Sequence, residues 1–236
     1  MNFLAHFVIA TRFLTPVAPL PFYVVGNALP DLLPLADRHR RLRPAALALA
    51  PAATAEEQAL RAGVLAHLAT DTAFHKTAAF SEAQAHLGVL VEQAQFTAMR
   101  VRRFFLTHIL VELALDAILL RQETGLADAF YAAFTAAPLA PIVSWTESSL
   151  VASLPQLPGV LTRFAQSQYL RSYAEDSGVA EGLRRVSVKA RQDAFLGDNR
   201  HRLENLVAQA LPVIADLAPA LLEQTAVNCQ TLMTEK

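Results

Sequence analysis

GVLAHLATDTAFH, residues Gly63 to His75, sets His67, Asp71 and His75 at steps of four. Side chains four apart stack on one face of an α-helix, so the spacing aims two imidazoles and a carboxylate at one region of space. A second stretch, RFFLTHILVELALDAILL from Arg103 to Leu120, repeats the device with His108, Glu112 and Asp116 in otherwise apolar surroundings. Each stretch reads as an apolar helix carrying one polar seam. Burying several ionisable groups costs several kcal/mol each, so roughly that much must be recovered by pairing or by a metal.

Outward from these two stretches the signals remain helical. Thr54 with Glu57 forms a capping box that opens the helix bearing His67. Ser81 with Gln84 repeats the pattern ahead of a helix reaching about Glu92, and Gln95 to Gln122 reads as one long helix stopped by Gly125. Residues 3–14 read as a helix, Pro21 to Arg41 as a connector broken at Gly26 or Asn27, and residues 44–53 as a loop. Helices are then expected over Ala127–Phe134, Val143–Leu154, Gly159–Tyr173, Val179–Phe195 and Arg200–Met233, with Pro212 and Pro219 kinking or dividing the last. Sustained period-two alternation and hairpin turns are absent. The expected fold is all-α, a compact multi-helix bundle with a metal site between facing helices. It is expected as a single domain, 1–236, whose residues 1–125 hold the metal-site half and 126–236 a helical C-terminal half.

The balance of 20 basic and 21 acidic residues gives a net charge of −1, which speaks against long nucleic acid as a partner. The hydrophobic share is 53% and the charged share 17%, below the roughly 25% usual for soluble proteins, which leaves peripheral membrane contact open. The single cysteine, Cys229, excludes an intramolecular disulfide framework and suits a reducing, cytoplasmic setting. MNFLAHFVIATRFL lacks a basic leader and is broken by His6 and Arg12, so it reads as a structural helix rather than a signal peptide.

The candidate ligands in chain order are His6, Asp31, His39, His67, Asp71, His75, His108 and Glu112. Asp31 has two readings, a favourable partner of a helix dipole or a ligand; His39, inside the basic run Arg38 to Arg43, is equally a surface residue. This order, His-x-x-x-Asp then His and later His-x-x-x-Glu, resembles the zinc-dependent phospholipase C family and its relative, the S1/P1-type single-strand nuclease. The segments MNFLAH and VGNALPDLLP also resemble bacterial acyl carrier protein phosphodiesterases. These resemblances imply an all-α protein with a multi-metal cluster that hydrolyses phosphate esters. Carried over by position, Asp31, His39, His67 and Asp71 would hold one metal and His75, His108 and Glu112 a second, with His6 and Asp71 reaching a third.

The mixed imidazole and carboxylate donors suit zinc, manganese or iron without deciding among them, and the resemblance implies zinc. Asp71, between ligands one turn on either side, is the expected bridging or catalytic carboxylate. Asn27 and Asp116 are expected to support the ligands, and Arg38, Arg40 and Arg41 to meet a substrate phosphate. The expected activity is metal-dependent hydrolysis of phosphoric diesters, on a small phosphoester or a lipid head group. The alternative is a non-catalytic helical binding protein whose His and Asp residues form a structural network or hold a structural metal.

Overall fold

A computed structural model describes residues 1–50, 52–96, 102–189 and 198–234. Among them every regular element is helical. The order is α1 (Phe3–Val8) running into a π-helical turn (Ile9–Phe13), α2 (Leu20–Ala36), α3 (Pro44–Leu49), α4 (Ala55–Phe74), α5 (Ala78–Gln93), α6 (Arg103–Gln122), α7 (Leu126–Ala136), α8 (Leu139–Leu150), α9 (Leu157–Ser167), a 3-10 turn (Tyr169–Ala174), α10 (Asp176–Lys189) and α11 (Asp198–Thr234). The all-α class expected from the sequence is the class observed.

The capping box forms as expected. Glu57 N–H donates to Thr54 Oγ1 and Thr54 N–H to Glu57 Oε2, both at 3.2 Å. Other boundaries move, for physical reasons. The segment expected to break at Gly26 or Asn27 is one 17-residue helix, α2, with Pro30 and Pro34 inside it. An internal proline costs about 3 kcal/mol. Burial of Phe22, Val24, Val25, Leu29, Leu32 and Leu33 returns roughly 1.5–3 kcal/mol each, which outweighs the two prolines.

Residues 44–49, expected as loop, form α3 with Pro44 in its first turn, where the missing N–H costs nothing. Thr77 rather than Ser81 caps α5, accepting from Phe80 N–H at 3.0 Å. Pro138 to Pro141, expected to start a loop, caps and opens α8. The last helix runs unbroken through Pro212 and Pro219. Gln95 has φ 48°, so the expected Gln95–Gln122 helix does not begin there; α6 starts at Arg103, and 97–101 lie outside the described residues, as do 190–195 of the expected Val179–Phe195 helix.

The chain forms two compact units, one of residues Met1–Ala5, Phe74–Leu126 and Leu170–Asn228, the other of His6–Ala73, Ala127–Tyr169 and Cys229–Lys236. In the first, α6 packs on α5 and α10, and Arg121 at the end of α6 binds Asp176 Oδ1 at 2.6 Å and the Ala174 carbonyl at 2.9 Å. α11 is long and apolar enough to cross a membrane by length and composition, yet Leu203, Leu206, Val207, Leu211 and Ile214 on it are buried as core. In the second unit, α9 packs on α2 and α8, and α3 on α8. Phe7, Phe130, Phe134 and Phe164 meet in edge-on, tilted and stacked pairs at centroid distances of 5.0–6.1 Å, an aromatic centre.

Candidate metal centre

Two groups of side chains offer nitrogen and oxygen donors that lie within 4.8 Å of one another: His6, Asp31 and His67 in one unit, and His75, His108 and Glu112 in the other. Each is two imidazoles and one carboxylate. That donor set fits zinc, because three protein ligands leave a fourth tetrahedral position open for water or substrate.

The first group depends on a close helix crossing. A Cβ added at Gly63 of α4 would collide with the Tyr23 carbonyl oxygen of α2, and one added at Gly26 of α2 with the Leu60 carbonyl oxygen of α4. With both positions glycine, the backbones touch. The Asn27 side chain donates to the Gly63 carbonyl at 3.4 Å, and the Asn27 carbonyl oxygen lies 2.8 Å from His67 Nδ1. A proton on Nδ1 serves that carbonyl and leaves the Nε2 lone pair for a cation, the arrangement that fixes tautomer and orientation in zinc-bound imidazoles. His67 Nε2 stands 3.8 Å from Asp31 Oδ1. The His6 ring stacks on His67 with centroids 3.8 Å apart and planes 16° apart, and His6 Nε2 is 3.9 Å from Asp71 Oδ1. Both imidazoles are buried while the two carboxylates are partly exposed. The site is open on its acidic side.

The second group is built around Glu112 on α6. His108, one turn earlier, and His75 each approach Glu112 Oε1 at 3.1 Å, and the Met1 amino group donates to the same oxygen at 2.9 Å. His75 lies in the turn after α4 rather than on the helix with His67 and Asp71, because α4 stops where Thr77 N–H and Oγ1 both turn back to the Phe74 carbonyl. Its ring stacks on His108 at 4.5 Å, and both rings meet the edge of Phe80. Burial alone would push the Glu112 carboxyl up; the amino group and the hydrogen bonds from His108 and His75 prevail and hold it well below the ordinary carboxylate range. Glu112 is therefore an anion ready for a cation.

Asp116, one turn beyond Glu112, is fully buried and accepts from Asn2 Nδ2 at 2.8 Å, Leu4 N–H at 3.1 Å and Ala5 N–H at 2.8 Å. It caps the first turn of α1, satisfying N–H groups that have no partner within the helix. Burial drives its pKa up to about 7, against the pull of those hydrogen bonds.

His39 lies in neither group: its ring is exposed and Nε2 accepts from Arg38 Nε at 3.1 Å. Arg38 and Arg41 are exposed too, with Arg41 donating to the Arg38 and Arg40 carbonyls. His6, assigned by position to a third metal with Asp71, lies 3.9 Å from Asp71 Oδ1 through Nε2 and also offers a donor to the group with Asp31 and His67. Sequence reasoning missed the Asn27 carbonyl, a main-chain group, and the glycine pair that brings it to His67. The available signal was a glycine inside each helix, Gly26 and Gly63.

Neither the curated proteins nor the solved structures contain a match to this chain. The zinc-dependent phospholipase C family does match, over residues 5–151, a span that includes every member of both donor groups. Zinc is thus the metal implied for donors that independently suit it. With more than half of its length matched, the chain belongs to the zinc-dependent phospholipase C family.

Proposed function

We propose that the protein hydrolyses phosphodiesters, with the head-group ester of a phospholipid as the substrate class. Family membership supports a phospholipase-like hydrolase. The observation that carries the reading is the twofold occurrence of two imidazoles and a carboxylate within 4.8 Å. Zinc at such donors supplies Lewis-acid polarisation of a phosphoryl oxygen and of the attacking water. The chain supplies the rest. The Asn27 carbonyl holds His67 in the tautomer that binds. Asp71, partly exposed and 3.9 Å from His6 Nε2, is positioned to take a proton from water as its oxygen bonds to phosphorus and to return it to the alcohol oxygen as the ester P–O bond breaks. The buried Cys229 supports a reducing, cytoplasmic location.

The test is turnover of bis-p-nitrophenyl phosphate and of phosphatidylcholine by the zinc-loaded protein. Activity that disappears with chelator and returns with zinc is expected; an inert zinc-loaded protein would reject the reading. A second reading, a structural hydrogen-bonded network, is favoured at one place only: Glu112 accepts from the Met1 amino group and faces two imidazoles at hydrogen-bond distance.

A further inference from the structure

The stretch from Leu35 to Leu49 carries an unusual surface. Arg38, Arg40, Arg41 and Arg43 are exposed, with Asp37 the acidic residue among them, a local excess of three positive charges in a chain whose net charge is −1. Leu42 between them is 3% exposed and pins the loop; Arg40 Nε lies 3.6 Å from Asp37 Oδ2 and Arg41 donates to neighbouring main-chain carbonyls, while all four arginines stay exposed on that fixed base. Leucines flank the run on both sides, Leu35 at 50% and Leu49 at 89% exposure. α3 has no polar side chain at all: Leu47 is buried, while Ala45, Ala48 and Leu49 face solvent.

A solvated charge run needs no leucines beside it, and a protein contact of ordinary composition does not need four arginines in six residues. Basic residues interleaved with projecting apolar ones are the pattern of a surface seated in the interface of an anionic bilayer, where the leucines enter the acyl boundary and the arginines meet phosphate. The position agrees with this. Leu35 is one helical turn beyond Asp31 on α2, so the surface begins beside the carboxylate on the open side of the first donor group.

We propose that residues 35–49 dock the protein on an anionic lipid bilayer, next to the first donor group. The inference rests on the phospholipid reading for its purpose, though not for its test. Flotation of the zinc-loaded full chain with phosphatidylcholine vesicles, with and without phosphatidylglycerol, reads the docking. Capture is expected only on the anionic vesicles and is expected to weaken as salt rises. Replacing all four arginines with glutamine should lower the partition constant by more than about tenfold, since each basic residue at such a surface is worth about fivefold. Leu49→Asp should also lower it severalfold, while leaving turnover of bis-p-nitrophenyl phosphate unchanged.

Equal capture on neutral vesicles, no capture at all, or arginine variants that float like the native chain would overturn the docking. So would Leu49→Asp floating normally, since a purely electrostatic surface would equally take any polyanion. Soluble-ester turnover decides the hydrolase reading by itself: its absence in a native chain that still floats would sink that reading and leave the docking standing.

Discussion

The two donor groups share their composition and differ in how the carboxylate is held. In the second, Glu112 is half-buried and collapsed onto its imidazoles at 3.1 Å with an ammonium on the same oxygen. In the first, Asp31 stands 3.8 Å from His67 Nε2, beyond hydrogen-bond distance, and it is the imidazole that is locked, from behind, by a main-chain carbonyl. One group is preorganised through its base, the other through its acid. The first is the more open to incoming substrate, and the second is the better able to persist without metal.

That contrast can be broken at several points. His67→Ala and His108→Ala each remove an imidazole donor and should each lower phosphodiester turnover by more than about 100-fold, beyond what loss of an outer support costs. If His108→Ala keeps full activity and loses only thermal stability, the second group is a structural network. Gly63→Ala forces α4 away from Tyr23 and Asn27. It should weaken zinc binding at the first group by about 10–100-fold, the cost of disturbing a supporting hydrogen bond, and leave the second unchanged in a competitive chelator titration. Overpacking should add about 1–3 kcal/mol of destabilisation in urea.

The neighbouring acids on α6 give opposite pH signatures in the metal-free chain. Glu112 is depressed in the fold, so its contribution to stability is full above the unfolded value of 4.5 and is lost only as pH falls through its lower folded value. Asp116 is raised from 3.8 to about 7, so its contribution is present below 3.8 and is lost as pH rises through about 7. Urea midpoints measured from pH 4 to 8 should therefore fall less steeply in Asp116→Asn than in the native chain; parallel curves would count against the buried, protonatable Asp116. The smallest effect belongs to Thr77→Ala, which removes the α5 cap beside His75 and should cost about 1 kcal/mol in thermal unfolding.

The sequence shows the helices and the two polar seams plainly, because helical spacing is local. Thr54 and Glu57 announced the start of α4, and His108 and Glu112 share a helix face as read. Breaker residues misled: Gly26 and Asn27, read as a break, and Pro212 and Pro219, read as kinks or divisions, all lie inside continuous helices, where the burial of whole apolar faces outweighs the local cost. Grouping was not legible in the spacing. Whether His6 or His39 accompanies Asp31 depends on how α1 and α2 meet α4, and the crossing is set by Gly26 and Gly63, whose significance is the side chain they lack. A main-chain acceptor such as the Asn27 carbonyl leaves no mark in residue type at all.

The most direct measurement is the zinc content per chain of protein purified with zinc supplied, by elemental analysis, for the native chain and for His67→Ala and His108→Ala. At least one zinc for each donor group is expected in the native chain, with the loss of about one equivalent in each variant, as follows from removal of a ligand. A native chain free of zinc, or variants that retain the native count, would contradict it.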